Sequence, residues 1–221
     1  MPNQTFYNLS IEKQTEVINI SIEEFVQKDY DAASLNHIIA RLGIAKGSFY
    51  RYFSNKRELY MYLIDHVLTK AIEFIRMNVA SEKTENTNDD FFVLYKIRFN
   101  AFIEFVIQHP QYLRLLFRAY DRGDLRKDAE LGNHLRGLKI FRGYIIEAQN
   151  NGQLKSSFDP DLILYVIAQL TAGLHRYIEY KHGLTYNELL INDSEMLAKR
   201  KEQLNILVEQ MIAILRNGLE Y

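Results

Sequence analysis

The sequence predicts an all-α fold, and three observations carry that reading. Only three prolines occur, Pro2, Pro110 and Pro160, so long stretches run without a helix breaker. Apolar residues recur at intervals of three and four, the helical period. Alternating apolar runs bounded by Asn-Gly or Asp-Gly, the mark of hairpins, are nearly absent. A chain of 221 residues holds one or two domains. We read it as nine or ten helices with short connections.

The first helix is expected from about Ser10 to Lys28, with Ser10 as N-cap and Ile18, Ile22, Phe25 and Val26 as its inner stripe. Ser34 caps a second. Its Leu35, Ile38, Ile39 and Leu42 lie at i, i+3, i+4 and i+7, and Gly43 supplies the left-handed residue that ends it. A short third helix covers about Ala45 to Tyr52. Ser54 is expected to cap a fourth, from about Asn55 to Val79. The polar stretch 81–90, SEKTENTNDD, reads as a loop. Longer helices follow at about 90–108, 110–121, 124–150, 160–182 and 195–217. Asp159-Pro160 is a cap followed by proline at the first helical position. Asn151-Gly152, His182-Gly183 and Asn217-Gly218 read as helix stops.

Composition excludes several classes. There is no cysteine, which removes disulfide scaffolds, thiolate metal sites and cysteine nucleophiles. The longest apolar run, Leu162 to Ala168, is far short of the ~20 residues a membrane helix needs. No signal peptide is expected at the N-terminus, where no basic stretch precedes an apolar one. A nucleophile elbow, a phosphate-binding loop and HExxH are all absent, so an enzyme is not expected, and no cofactor is implied. His175, Glu179 and His182 share one helix face, but that spacing is weak support for a metal, and none is assigned.

One segment is specific. Residues 34–57 read SLNHIIARLGIAKGSFYRYFSNKR, two short helices joined through Gly43: a helix-turn-helix. Arg41, Lys46, Arg51, Lys56 and Arg57 fall between 41 and 57 with no acidic residue, inside a chain of net charge -1. A local cationic surface in an otherwise acidic chain suits phosphate binding, because each phosphate contact releases a condensed counterion. Phe49 and Phe53 share a face and are expected to lock the third helix into the core. Tyr50 and Tyr52 are expected to point elsewhere, offering hydroxyls to phosphates. Gly47 and Ser48 are small enough to let a duplex approach.

These residues resemble the DNA-binding domain of the TetR family of bacterial transcriptional regulators. The likeness covers about residues 11–67 and rests on Gly43-Ile44-Ala45-Lys46-Gly47-Ser48-Phe49-Tyr50-Arg51-Tyr52-Phe53, then Ser54-Asn55-Lys56 and Leu59. Asp29 and His37 depart from the pattern, with consequences for domain stability rather than DNA contact. Ala45 replaces the usual serine or threonine cap on the third helix. The resemblance implies a DNA-binding domain at 1–54, the fourth helix 55–79 as connector, and a ligand-binding and dimerisation domain at 80–221. It implies a cytoplasmic homodimer on double-stranded operator DNA, acting as a repressor released by a small-molecule effector of unknown identity. Ser34 would then bind phosphate, with Asn36 assisting. Lys46, Ser48 and Arg51 would reach base edges or nearby phosphates, Gly47 would permit the approach, and Tyr50, Tyr52 and Lys56 would clamp the backbone. Two other readings are a helical enzyme using the aromatic pocket, for which no catalytic motif occurs, and an interaction module that binds only protein, which leaves the clustered charge unexplained.

In the second body, the helix at 91–108 is apolar nearly all round. Lys96, Asn100, Glu104 and Gln108 form one polar stripe, read as its wet side. Arg98 lies opposite that stripe, where a buried arginine needs a partner. It is a candidate anchor for an anionic or carbonyl ligand. Phe102, Phe105, Tyr112, Phe117 and Tyr144 are candidate lining. The last two helices are apolar enough to be buried on more than one side, as a dimer interface requires.

Overall fold

The computed structural model describes residues 2–82, 90–121, 136–182 and 194–219. Ten helices and no strand occur among them: α1 (Gln4–Tyr7), α2 (Ile11–Gln27), α3 (Leu35–Leu42), α4 (Lys46–Tyr50), α5 (Lys56–Glu82), α6 (Phe91–Gln108), α7 (Pro110–Asp121), α8 (Arg136–Asn150), α9 (Pro160–His182) and α10 (Ser194–Leu219). Residues 124–135 of the helix expected at 124–150 lie outside the described residues, as does Gly183.

The chain packs into two units, one of residues 1–70 with 109–135, the other of 71–108 with 136–221. The packing boundary thus falls inside α5. It also assigns α7 to the N-terminal unit, where the sequence reading placed everything from residue 80 in one body. The reason is α7's apolar face. Leu115 (0% exposed) and Ala119 (4%) enter the same core as Ile22, Phe25, Ile38, Phe49, Phe53 and Leu63, and Arg118 donates from Nη1 to the carbonyl of Phe25 at 3.2 Å, satisfying an acceptor near the end of α2.

Local signals set most helix ends in the first unit. Ser10 Oγ accepts from Lys13 N–H, and Ser34 Oγ accepts from His37 N–H. Gly43 sits at φ 62°, the left-handed conformation that costs other residues a Cβ clash. The cap of α5 is Asn55 rather than Ser54: Asn55 Oδ1 accepts from Glu58 N–H at 2.9 Å. The Glu58 carboxylate reaches back to Ser54 N–H at 2.6 Å, so two helix-start donors are satisfied by side chains three and four residues away. Helix α1 has no counterpart in the sequence reading. Its Phe6 is fully buried and meets the Phe53 ring at 5.0 Å, and Asn3 N–H donates to the Tyr52 carbonyl at 3.0 Å. Two adjacent aromatics, Phe6 and Tyr7, in a polar stretch give no periodic signal, so only packing reveals the helix.

The second unit has its own core of Phe91, Phe92, Tyr95, Phe99, Ile145, Leu154, Ile163, Ile167, Val208, Met211, Ile212 and Leu215. Asp159 Oδ1 accepts from Asp161 N–H at 2.8 Å and so caps α9, with Pro160 at its first position. Gly152 ends α8 at φ 73°, and Gln153 N–H returns to the Ala148 carbonyl. The stop expected at Asn217-Gly218 is passed, because α10 runs on to Leu219. Its last carbonyls have partners: Lys155 N–H donates to Leu219 O at 2.9 Å and Lys155 Nζ to Gly218 O at 3.1 Å.

The polar stripe of α6 is not simply a wet side. Lys96 pairs with Glu209, and Lys201 Nζ binds both oxygens of Glu104 at 2.9 and 3.1 Å, so the stripe runs along α10. These pairs are well exposed, and exposed pairs contribute about 0–1 kcal/mol each. They set register at the seam more than they stabilise it.

Candidate nucleic-acid interface

The site is built on α3, the turn at Gly43, and α4. Helix α3 buries Ile38, Ile39 and Leu42 and so fixes its other face outward. At 3.6 residues per turn, Lys46, Gly47, Tyr50 and Arg51 share one side of α4, with Phe49 on the other. Phe49 is fully buried, Tyr50 is 40% exposed, and Lys46, Gly47 and Arg51 are exposed. A Cβ built on Gly47 would meet nothing within 4 Å. Nothing in this chain therefore requires glycine there. Ala45 is the N-cap of α4 and its side chain makes no capping bond.

The structure separates four of the five cations, Arg41, Lys46, Arg51 and Lys56, by what already holds them. Arg41 is paired with Glu23 at 2.5 Å. Lys56 donates from Nζ to the carbonyls of Asp31 (3.1 Å) and Ala33 (2.9 Å), and lies over the Tyr30 ring at 4.9 Å. It ties α5 to the loop before α3, rather than standing clear as a backbone clamp. Arg51 touches Ser48 Oγ at 3.3 Å. Lys46 makes no ion pair with any described residue.

Tyr52 is also placed differently from the sequence reading. It is 8% exposed, with its ring edge-on to Phe6 at 6.3 Å. Helix α4 ends at Tyr50, and even a continued helix would put Tyr52 only about 60° from Phe49. That arithmetic was available from the sequence. Asn36 is exposed near the start of α3, and Ser48 is half-buried.

Sequence reasoning missed the carboxylate beneath Ser34. Glu24 is fully buried, yet it is held by Ser34 N–H (3.0 Å), Lys28 Nζ (2.9 Å) and His37 Nδ1 (2.5 Å). Burial alone would raise its pKa. The bonds from Ser34, Lys28 and His37 overcome that and lower it to about 2. Two consequences follow for Ser34. Its backbone N–H is already committed to Glu24, while its Oγ accepts from His37 N–H and keeps its own hydroxyl proton for an outside acceptor. His37, one of the departures from the family pattern, is what completes this cluster.

In the second unit, Arg98 is 7% exposed, with its guanidinium carbon 3.8 Å from the Tyr144 ring centroid and 5.9 Å from that of Phe141. Burial pulls its pKa below the ordinary arginine value, against opposing contributions from Tyr144 and Glu147. Tyr144 thus joins Arg98. Phe105 packs on Phe74 at 5.6 Å, and Phe102 is half-buried. Tyr112 packs against the core of the first unit, so it is not part of the second unit's core. The side chains of Phe117, His175, Glu179 and His182 lie outside the described residues. One face of α9 is open: Leu162 (53%), Tyr165 (61%), Val166 (37%), Leu170 (40%), Tyr177 (45%) and Tyr180 (86%) are exposed apolar residues at helical spacing. A Cβ on Gly173, in the same stripe, would meet nothing within 4 Å. No described helix is long and apolar enough to cross a membrane.

This geometry defines a helix-turn-helix protein with an outward cationic second helix. The profile of the bacterial regulatory proteins of the tetR family matches residues 18–63, the stretch that carries α3, the Gly43 turn and α4. The chain aligns end to end with a TetR family transcriptional regulator from Chloroflexus aurantiacus J-10-FL, at 26% identity, a TM-score of 0.65, and coverage of 100% of this chain and 99% of the other. A structure from Shewanella sp. PV-4, described as a putative tetR family transcription regulator, has the same fold at 15% identity and a TM-score of 0.69 over 95% of this chain and 98% of that one. The HTH-type transcriptional regulator YvdT of Bacillus subtilis is 33% identical over 76 residues, 34% of this chain and 37% of YvdT. The HTH-type transcriptional activator FasR of Mycolicibacterium smegmatis is 26% identical over 106 residues, 48% of this chain and 46% of FasR. The alignments therefore span about a third to a half of these curated relatives. Residues 18–63 thus match the tetR-family DNA-binding model, and the chain shares its fold with the TetR family regulator from Chloroflexus aurantiacus.

Proposed function

We propose that this chain is a DNA-binding transcriptional regulator that acts in the cytoplasm as a homodimer on a palindromic operator. The observation that carries this is the outward face of α4, where Lys46, Gly47, Tyr50 and Arg51 lie together and exposed among the described residues. Lys46 and Arg51 supply charge and base-edge donors, Tyr50 a phosphate contact, and Gly47 the close approach. Ser34 and Asn36 at the start of α3 add a second anchoring point, with the Ser34 hydroxyl as donor. Tyr52 and Lys56 act from behind, holding α4 and the loop before α3 in place. The apolar stripe of α9 supports a dimer, since contiguous exposed patches of this kind mark interaction sites. Two copies would present two α4 helices to successive major-groove turns about 34 Å apart.

The working mode is repression relieved by a small molecule bound in the second unit. The effector acts only through its differential affinity for the DNA-competent and incompetent states. The name of FasR supports a second mode, activation. A reporter fused to the operator separates them: deletion of the gene raises expression for a repressor and lowers it for an activator.

The binding reading is tested by gel shift with the DNA upstream of the chain's own gene, repeated across salt. Binding that weakens steeply with salt is expected. Lys46→Ala should weaken specific and random DNA alike. Arg51→Ala should relax preference at particular base pairs, by roughly 1–3 kcal/mol. Absence of binding at low salt would overturn the assignment.

A further inference from the structure

We infer that the effector is a small monoanion, a carboxylate on an aromatic or aliphatic body, with Arg98 as its counter-ion; this rests on the reading of the chain as an effector-controlled regulator. Arg98 is among the most buried charged side chains described. Among the described residues no aspartate or glutamate lies within ion-pair distance of it. Glu147, which acts on it through space, is on the exposed side of α8. Its close company is the Tyr144 ring at 3.8 Å and the Phe141 ring at 5.9 Å. A cation–π contact offsets only part of the cost of taking a guanidinium out of water. More exposed cations of the same unit do have carboxylates: Lys201 has Glu104, and Arg216 has Asp90.

A buried cation left short of a counter-charge favours an incoming anion. Its single charge favours a monoanion, because a dianion would leave one charge uncompensated in a low-dielectric site. The guanidinium lies over the Tyr144 ring, and the Tyr144 side chain also acts on it as a hydrogen-bond partner; the remaining N–H donors of its five can meet a planar acceptor. A carboxylate matches two such donors bidentately. Beside it, the Phe141 ring of α8 at 5.9 Å meets the Tyr95 ring of α6 edge-on at 6.2 Å, an apolar wall for the body of such a ligand. Tyr95 is itself tied to Thr171 through a 2.7 Å hydroxyl contact.

The test uses full-length protein and isothermal titration with benzoate, cinnamate and octanoate, each beside its primary amide. At least one acid is expected to bind about tenfold or more tightly than its amide, the scale of a charge-assisted hydrogen bond. Arg98→Met removes the charge without leaving a buried ion, so it is expected to fold and to reduce that acid's affinity to the level of the amide. Arg98→Lys, which keeps the charge and loses the fork, should fall between. If none of the three acids binds, if acids and amides bind alike, or if Arg98→Met retains the preference, the inference is wrong. The wild-type acid–amide comparison decides even if a variant fails to fold. Operator binding by ligand-free protein is measured separately. Intact operator binding without acid preference overturns this inference alone, whereas no operator binding overturns the regulator reading.

Discussion

At Gly47, stability and function are expected to separate. The position is helical and open, so Gly47→Ala should leave thermal stability unchanged or raise it by about 0.5–1 kcal/mol. The added methyl stands on the face proposed to approach DNA, and operator affinity should fall at least tenfold, measured by gel shift on the same preparation. Glu24 is the opposite case, a residue that touches no ligand and supports the site from beneath. Its folded pKa of about 2 lies below the ordinary 4.5. The unfolded chain therefore takes up the proton first as pH falls. The stabilisation is fully present above about pH 4.5 and is lost on descending towards pH 2. Glu24→Gln should cost on the order of 2 kcal/mol at neutral pH, through weakened charge-assisted bonds, and flatten acid unfolding over that window. Chemical denaturation at a series of pH values checks both. Nothing in the sequence announces Glu24. It sits on a helix beside Glu23 and reads as one more surface acid, because its partners at 28, 34 and 37 meet only once α2 and α3 cross.

At the scale of elements, helix ends divide into those a side chain caps and those it does not. Ala45 leaves α4 uncapped in an extended N-cap conformation, φ −66° and ψ 141°. Ala45→Ser supplies the missing acceptor and should raise stability by about 1 kcal/mol. Asn55→Ala should lower it by a similar ~1 kcal/mol, and Ser54→Ala by less, since the Ser54 contribution is a backbone N–H. Thermal unfolding of the three variants ranks them. Most helices were legible because their apolar residues recur at three and four, Gly43 and Gly152 mark stops, and Asp159-Pro160 marks a start. The misreadings came where a tertiary contact decides. Phe6 makes α1 a helix by packing on Phe53. Lys155 lets α10 run past Gly218. Lys56 is taken by carbonyls that lie 23 and 25 residues away in sequence. The candidate interface was readable in residue type and spacing, whereas its division into committed and uncommitted cations required the contacts.

For the whole molecule, the α9 stripe carries a prediction about assembly. Leu162→Glu with Tyr165→Glu changes residues that are exposed in the single chain, so folding should survive. The proposed dimer should dissociate in sedimentation velocity, and affinity for a full palindrome should fall towards that for a half-site. A dimer that persists would place the interface elsewhere. The packing of α7 into the N-terminal unit has a different consequence, one of timing. A ribosome that has released only the first 82 residues has made every helix of the DNA-reading surface, yet Leu115, Ala119 and the Arg118 bond to Phe25 are still unmade. At roughly 5–20 residues per second of synthesis, the unit waits seconds for its last wall. During that interval, nascent chains of this protein would expose the greasy back of α2, and a fragment cut after α5 would carry the same defect permanently.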